Sequence, residues 1–223
     1  MGYLGSKAAS GVYQKIIANM PPHDTYIETH LGGGAIMLRK PPAKTNIGID
    51  IDPDALCEFN TGRCMPHVQL FRHDAVSFLE DFDFSNAGRV LIYADPPYLP
   101  ETRTGNARYR YEYTVDDHRH LLACLRTLPA AVMLSGYPSV LYHELLPDWR
   151  SITFQAMTRG GVRTEQLWMN FPEGQPFSAA YAGKDYIDRQ RIKRKVERWR
   201  KKYQALPPAE RLAIMQALSS IDD

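Results

Sequence analysis

Through residue 171 the chain alternates short apolar runs with stretches of helical periodicity. The apolar runs predict strands at 25–28, 46–50, 68–71, 90–94, 131–135, 151–155 and 165–171. The periodic stretches predict helices at 10–18, 34–39, 53–60, 75–80, 116–127 and 139–145. Such alternation is the pattern of a parallel sheet with crossover helices. The expectation is therefore an α/β fold with a mostly parallel, seven-stranded sheet and helices on both faces. Two segments leave the rhythm. Residues 99–114 are polar, carry Gly105 and Asn106 near their centre, and predict a long loop. Residues 184–204 predict a basic helix with Ile187, Ile192, Val196, Trp199 and Tyr203 spaced along one apolar face. Pro207-Pro208 should end it, with a short helix at 209–218 after it. The chain thus divides into a domain at 1–171 and a helical extension at 172–223.

Composition changes this picture in one place. With 223 residues, 44% hydrophobic and 23% charged, the chain is ordinary for one globular domain with a small appendage. The formal net charge of +2 hides its distribution, because residues 184–204 alone carry +7 and the remainder about −5. That segment predicts contact with phosphates. Cys57, Cys64 and Cys124 form no metal-type spacing and are expected as reduced thiols in a cytoplasmic protein. No apolar stretch approaches the roughly 18 residues of a membrane span, and the N-terminal residues do not read as a signal peptide. A monomer is expected.

The candidate chemistry lies where strands end. Asp95-Pro96-Pro97-Tyr98 directly follows the apolar run 90–94. The prolines fix φ, remove backbone donors and keep the preceding residue extended, so the chain cannot run straight into a helix. A carboxylate, free carbonyls and an aromatic face are left at the strand's end, which suits a planar amine. The first strand ends in Glu28, followed by Thr29-His30-Leu31-Gly32-Gly33-Gly34. Three glycines before a helix allow close backbone approach to a ligand. The second strand ends at Asp50, where nucleotide-binding sheets hold ribose hydroxyls. Neither Gly-x-Gly-x-x-Gly nor Gly-Lys-Ser/Thr is present, which favours a nucleoside without a phosphate tail. Asp74 follows the third strand and reads either as an acceptor for an amino group or as a helix N-cap. Arg103, Arg108 and Arg110 interleave with tyrosines in the polar loop, and Tyr137 follows the fifth strand. His118, His120 and His143 form no ligand set, and no metal is assigned.

Taken in order, these motifs resemble the Dam-like DNA adenine methyltransferases over residues 1–171. Tyr3-Leu4-Gly5-Ser6-Lys7 is similar to the family's N-terminal motif, residues 27–35 to its glycine-rich loop, Asp50 to its ribose acid, and Asp95-Pro96-Pro97-Tyr98 to its catalytic tetrapeptide. The resemblance implies S-adenosyl-L-methionine as cofactor, a Rossmann-like methyltransferase sheet with an antiparallel last strand, and a flipped adenine as substrate. It implies Asp95, Pro96 and Tyr98 as catalytic. Cofactor contacts would come from Tyr3, Ser6, Lys7, Glu28, Gly32, Gly33, Gly34, Asp50, Ile51, Asp74, Ala75 and Asp95. Substrate contacts would come from Pro97, Tyr98, Arg103, Arg108, Arg110 and Tyr137. Two features depart from the family. Thr29-His30 stands where it has Pro-Phe, and only about 20 residues separate Asp74 from Asp95, too few for a target-recognition domain. Weak or short-site specificity follows, from the polar loop or the C-terminal segment. The small size suits a phage or mobile restriction-modification element, by analogy. The expected partner is DNA, with RNA as the alternative polymer and a non-catalytic nucleic-acid-binding module as the alternative of another class.

Overall fold

The structure is a computed structural model that describes residues 7–9, 11–62, 65, 67–102, 110–158, 161–174, 176–183 and 185–221. In chain order, α1 (Val12–Ala18) precedes β1 (Thr25–Glu28) and β2 (Thr45–Asp50). Next come α2 (Pro53–Gly62), β3 (Val68–Arg72), α3 (Ala75–Asp81), β4 (Val90–Ala94), α4 (Val115–Thr127), β5 (Ala131–Gly136) and α5 (Val140–Leu145). The hairpin of β6 (Arg150–Thr158) and β7 (Gly161–Met169) closes the series. The seven strands form one sheet in the order β3-β2-β1-β4-β5-β7-β6. Only β7 runs opposite to the other six strands, pairing Gly136 with Gln166 and Phe154 with Glu165.

The central strands β1 and β4 are buried along their whole length, as expected where both sheet faces are covered. Side chains alternate across a strand. Ile27, Ile92 and Leu134 join a core with Leu79 of α3, Leu121 and Leu125 of α4 and Trp168. Tyr26, Leu91, Tyr93 and Met133 point the other way and are equally buried, as are Ile16 and Ile17 of α1.

The helices α3, α4 and α5 start where the sequence supplies capping side chains. Asp74, Thr114 and Ser139 each accept from the backbone N–H three residues on, and Asp117 completes a capping box with Thr114.

Three expectations are corrected. The helix predicted at 34–39 is a run of turns. The Met37 N–H, which a helix would direct to residue 33, donates instead to Glu28 Oε2 at 2.9 Å. The hairpin strands also begin and end elsewhere than predicted. Polar residues near its tip pair in register as far as Thr158 with Gly161. Beyond Met169, the Asn170 side chain takes over, accepting from Val132 N–H at 2.7 Å and donating to the Ala130 carbonyl at 2.9 Å. The third concerns the apolar face of the basic helix, described below. The polar loop opens with a 3-10 turn at Pro100–Thr102, and its centre, residues 103–109, lies outside the described residues.

The chain divides into two units, Met1–Ala180 and Tyr181–Asp223. Residues beyond the expected boundary at 171 stay with the sheet unit. Phe177 N–H donates to the Met20 carbonyl at 2.8 Å, and its ring stacks on His23 at 3.9 Å. The second unit holds α6 (Tyr186–Gln204) and α7 (Pro208–Ser219), with Asp185 capping α6. The Tyr203 hydroxyl donates to the Arg211 carbonyl at 3.0 Å across the Pro207 corner. The predicted apolar stripe of α6 is not packed away: Ile187, Val196 and Trp199 are exposed.

No helix among the described residues is long and apolar enough to cross a membrane.

Candidate active site

In an open parallel sheet the ligand crevice lies at the carboxyl ends of the strands, where the strand order reverses. Here that point is between β1 and β4, which both flank the start of the winding. The sequence places an acid at each neighbouring end: Glu28 closes β1, Asp50 closes β2, Asp74 follows β3 and Asp95 follows β4. All four line one cavity of ≈ 290 Å³.

The floor of the cavity is the glycine loop, tied to β2 by its own backbone. Leu31 N–H donates to the Ile49 carbonyl at 2.9 Å, and Gly32 N–H to Asp50 Oδ2 at 2.7 Å. The other oxygen of Asp50 accepts from Asp52 N–H at 2.9 Å. Gly34 has φ of +59°, and a Cβ there would lie 2.3 Å from the Phe59 ring. This glycine therefore serves a left-handed backbone and packing onto α2, and no regular helix follows it to present an N-terminus. Glu28 is buried and accepts from the Tyr26 hydroxyl and Met37 N–H, both at 2.9 Å. Burial pushes its carboxyl up to about 8, so it is mostly neutral at neutral pH. Burial also raises the Asp50 carboxyl. Asp74 Oδ1 is occupied as the N-cap of α3, bonding Ser77 N–H at 2.9 Å and the Ser77 hydroxyl at 3.1 Å.

The tetrapeptide forms one wall, and a buried lysine organises it. Lys7 Nζ stands 2.9 Å from Asp95 Oδ1, 3.7 Å from Glu165 Oε2 of β7, and donates to the Tyr98 hydroxyl at 2.5 Å. Despite this ammonium, burial dominates and raises the Asp95 carboxyl to about 6, with Lys7 pulling it down and Glu165 adding to the rise. Asp95 is thus ionised at neutral pH and above. The Tyr98 ring meets Tyr137 at 4.4 Å and 64°.

The opposite wall is aromatic. His30 Nδ1 pairs with the Thr29 hydroxyl at 2.8 Å and Nε2 with the Tyr113 hydroxyl at 3.0 Å. Burial lowers His30 to about 3, so its ring is neutral. Edge contacts continue from Tyr113 to His118, Tyr142 and Trp168. His30 therefore supplies a flat, uncharged ring at this wall. Arg110 spans the rim, 3.4 Å from Asp52 Oδ1 and 2.5 Å from Asp54 Oδ2.

Of the residues singled out in sequence, Lys7, Glu28, Gly32, Gly33, Gly34, Asp50, Ile51, Asp74, Ala75, Asp95, Pro96, Pro97, Tyr98 and Arg110 line this cavity. Tyr137 joins through its contact with Tyr98. Tyr3, Ser6, Arg103 and Arg108 lie outside the described residues. Sequence reasoning missed His30, Tyr113 and Glu165 as parts of the site. The signal for Glu165 was an acid opening the apolar run Leu167-Trp168-Met169, on a strand whose antiparallel direction could not be read locally.

Carboxyl groups outnumber cations around the cavity. Glu28, Asp50, Asp52, Asp74, Asp95, Glu112 and Asp117 face Lys7 and Arg110, and both cations already touch carboxylates. Such a lining repels phosphate and accepts a positively charged ligand.

Solved structures share the architecture. The N-methyltransferase NodS from Bradyrhizobium japonicum aligns with a TM-score of 0.50 at 12% identity, over 72% of this chain and 93% of that one. A provisionally assigned rRNA methylase from Clostridium thermocellum aligns at 0.48 and 14% identity, over 74% and 98%. A provisionally assigned RNA methyltransferase from Pyrococcus horikoshii aligns at 0.46 and 12% identity, over 66% and 74%. No family model matches the chain, and no curated protein matches it. The fold is the Rossmann-like fold of S-adenosylmethionine-dependent methyltransferases. Their cofactor, a nucleoside with a sulfonium and no phosphate, fits the acidic lining.

Proposed function

We propose that this chain is an S-adenosylmethionine-dependent methyltransferase acting on the exocyclic amino group of adenine in DNA, as its Dam-like motifs suggest. The observation that carries the reading is the placement of Asp95-Pro96-Pro97-Tyr98. The tetrapeptide ends β4 at the reversal of strand order and opens on the same cavity as the glycine loop and Asp50.

The cofactor supplies an electrophilic methyl group, whose transfer forms the new N–C bond while the sulfonium becomes a thioether. The chain's own task is to hold a poor nucleophile. Adenine's amino nitrogen is conjugated with its ring, so its lone pair must be turned out of conjugation. Asp95, ionised above about pH 6, accepts one N–H and the Pro96 carbonyl accepts the other. Fixing that geometry is worth on the order of 7–11 kcal/mol in favourable cases. The carboxylate also stabilises positive charge growing on nitrogen in a site shielded from water. The methylated amine then gives up a proton, for which Asp95 is a suitable acceptor. Tyr98 and Tyr137 offer ring faces to an extruded base, each stack being worth about 1–3 kcal/mol. In the second unit, the predominantly basic α6 suits phosphate contact with strong salt dependence.

The test is methyl transfer from labelled cofactor to unmethylated DNA and, in parallel, to transcribed RNA, followed by mapping of the modified base. N6-methyladenine in DNA supports the proposal. RNA modification alone redirects it to the other polymer, and no transfer to either overturns it. Asp95→Ala is expected to lower transfer at least about 10³-fold while cofactor binding, followed by calorimetry, stays within a few-fold.

A further inference from the structure

Glu165 is a buried carboxylate for which the chemistry above has no use, yet it belongs to the same charge cluster. It stands one residue past the Gln166–Gly136 pair, just beyond the carboxyl end of β5, on the strand that runs against the others. Its Oε2 is shut off from solvent, has no hydrogen-bond partner among the described residues, and faces Lys7 Nζ at 3.7 Å. Lys7 lies 2.9 Å from Asp95 on the other side. One ammonium therefore serves two buried carboxylates and is closer to the one that must receive the amine.

We infer that Glu165 is a positioning residue that holds Lys7 in reserve, taking the ammonium when a target amine occupies Asp95. This rests on the reading of Asp95 as the acceptor of an amino N–H. An amine arriving at Asp95 competes with Lys7. Were Asp95 the one carboxylate beside Lys7, displacing the ammonium would leave a buried cation with neutral donors and rings but no contacting counter-charge among the described residues, a costly outcome in a low-dielectric site. With Glu165 within reach, a shift of Lys7 by about an ångström keeps the ammonium paired and frees Asp95 for the amine. The remaining groups that act on Asp95 do not substitute for Glu165. Tyr98 is a neutral donor, Tyr93 and Tyr142 are phenols whose titration is pushed upward, and Glu28 is neutral below about pH 8.

The test compares wild type with Glu165→Gln, which keeps the side chain's size and removes its charge. Single-turnover methyl transfer is followed from pH 5 to 9. The negative charge of Glu165 raises the Asp95 carboxyl, so its removal moves the acid limb of the profile from about 6 to lower pH. Because Asp95 is then the one carboxylate among the described residues that Lys7 contacts, the plateau rate falls about tenfold. A merely structural role would reduce the amount of folded enzyme and leave the limb in place. An unmoved limb overturns the inference. So does a loss in Glu165→Gln that simply adds to the loss in Lys7→Met when the two are combined. Carboxyl-carbon NMR titration of Asp95 in the protein without substrate gives a readout independent of turnover. If wild type methylates neither polymer, the functional proposal fails by itself, and the NMR shift alone decides the role of Glu165. If Glu165→Gln does not fold, the wild-type spectrum decides. A Glu165 signal that moves through the titration of Asp95 upholds the inference, and one that does not overturns it.

Discussion

Lys7 with Asp95 and Glu165, and Arg110 with Asp52 and Asp54, are the same arrangement of charge in different surroundings. Both place one cation between two carboxylates on the border of one cavity. The side chains of the first cluster are 6%, 17% and 7% exposed, whereas Arg110 is 58% and Asp54 75% exposed. In the inner cluster desolvation outweighs the ion pair, since Asp95 titrates high even with an ammonium at 2.9 Å. In the outer cluster, Asp54 and Asp52 simply raise Arg110 further, and water screens the rest. Buried charge sets protonation and therefore chemistry, while exposed charge marks the rim of the site at little energetic consequence.

Removing the inner cation should break this contrast most. Lys7→Met leaves Asp95 and Glu165 facing each other without a cation, and a loss of about 3–5 kcal/mol is expected from urea unfolding. With the ammonium gone, the Asp95 carboxyl rises still further above its unfolded value. A carboxyl raised on folding costs stability as pH climbs through its folded value, so the loss should be larger at pH 8 than at pH 5.5. Equal losses at both values would place the cluster in a wetter environment than its burial indicates.

Glu28 sharpens the comparison, being a buried carboxyl that no cation among the described residues pairs with. Its folded value of about 8 lies above its ordinary 4.5, so folding binds its proton and wild-type stability falls as pH rises across that window. The full effect is on the order of 5 kcal/mol. Glu28→Gln can still accept from Tyr26 and Met37 and carries no charge, so its melting temperature should decline less between pH 6 and 9 than that of wild type. Parallel curves would show that Glu28 is not the group responsible.

The smallest effect is expected at the rim. Arg110→Ala should leave the melting temperature unchanged within error at physiological ionic strength, where surface pairs are screened within about 8 Å. A loss that persists in 1 M salt would mean that Arg110 is held by more than its two carboxylates.

Most of the sheet was legible because its evidence is local. The runs at 25–28 and 90–94 match β1 and β4 to the residue, since strands buried on both faces must be apolar throughout. The helix expected at 34–39 failed because a distant carboxyl, that of Glu28, captured the Met37 N–H it needed. The spacing of α6 marked an apolar stripe, but spacing does not state whether anything covers it, and Trp199 stands exposed. Asp74 was open between two roles in sequence, and its bond to Ser77 shows the cap.

By itself, then, the sequence determined which segments pair into the sheet and which acids close its strands, because both follow from alternation, length and punctuation within a few residues. It could not set who meets whom across the cavity. Lys7 and Glu165 lie at opposite ends of the sheet-forming sequence, and only the antiparallel entry of β7 brings both to Asp95. Protonation was decided at that same level, since it depends on how much water the completed fold leaves around each carboxyl.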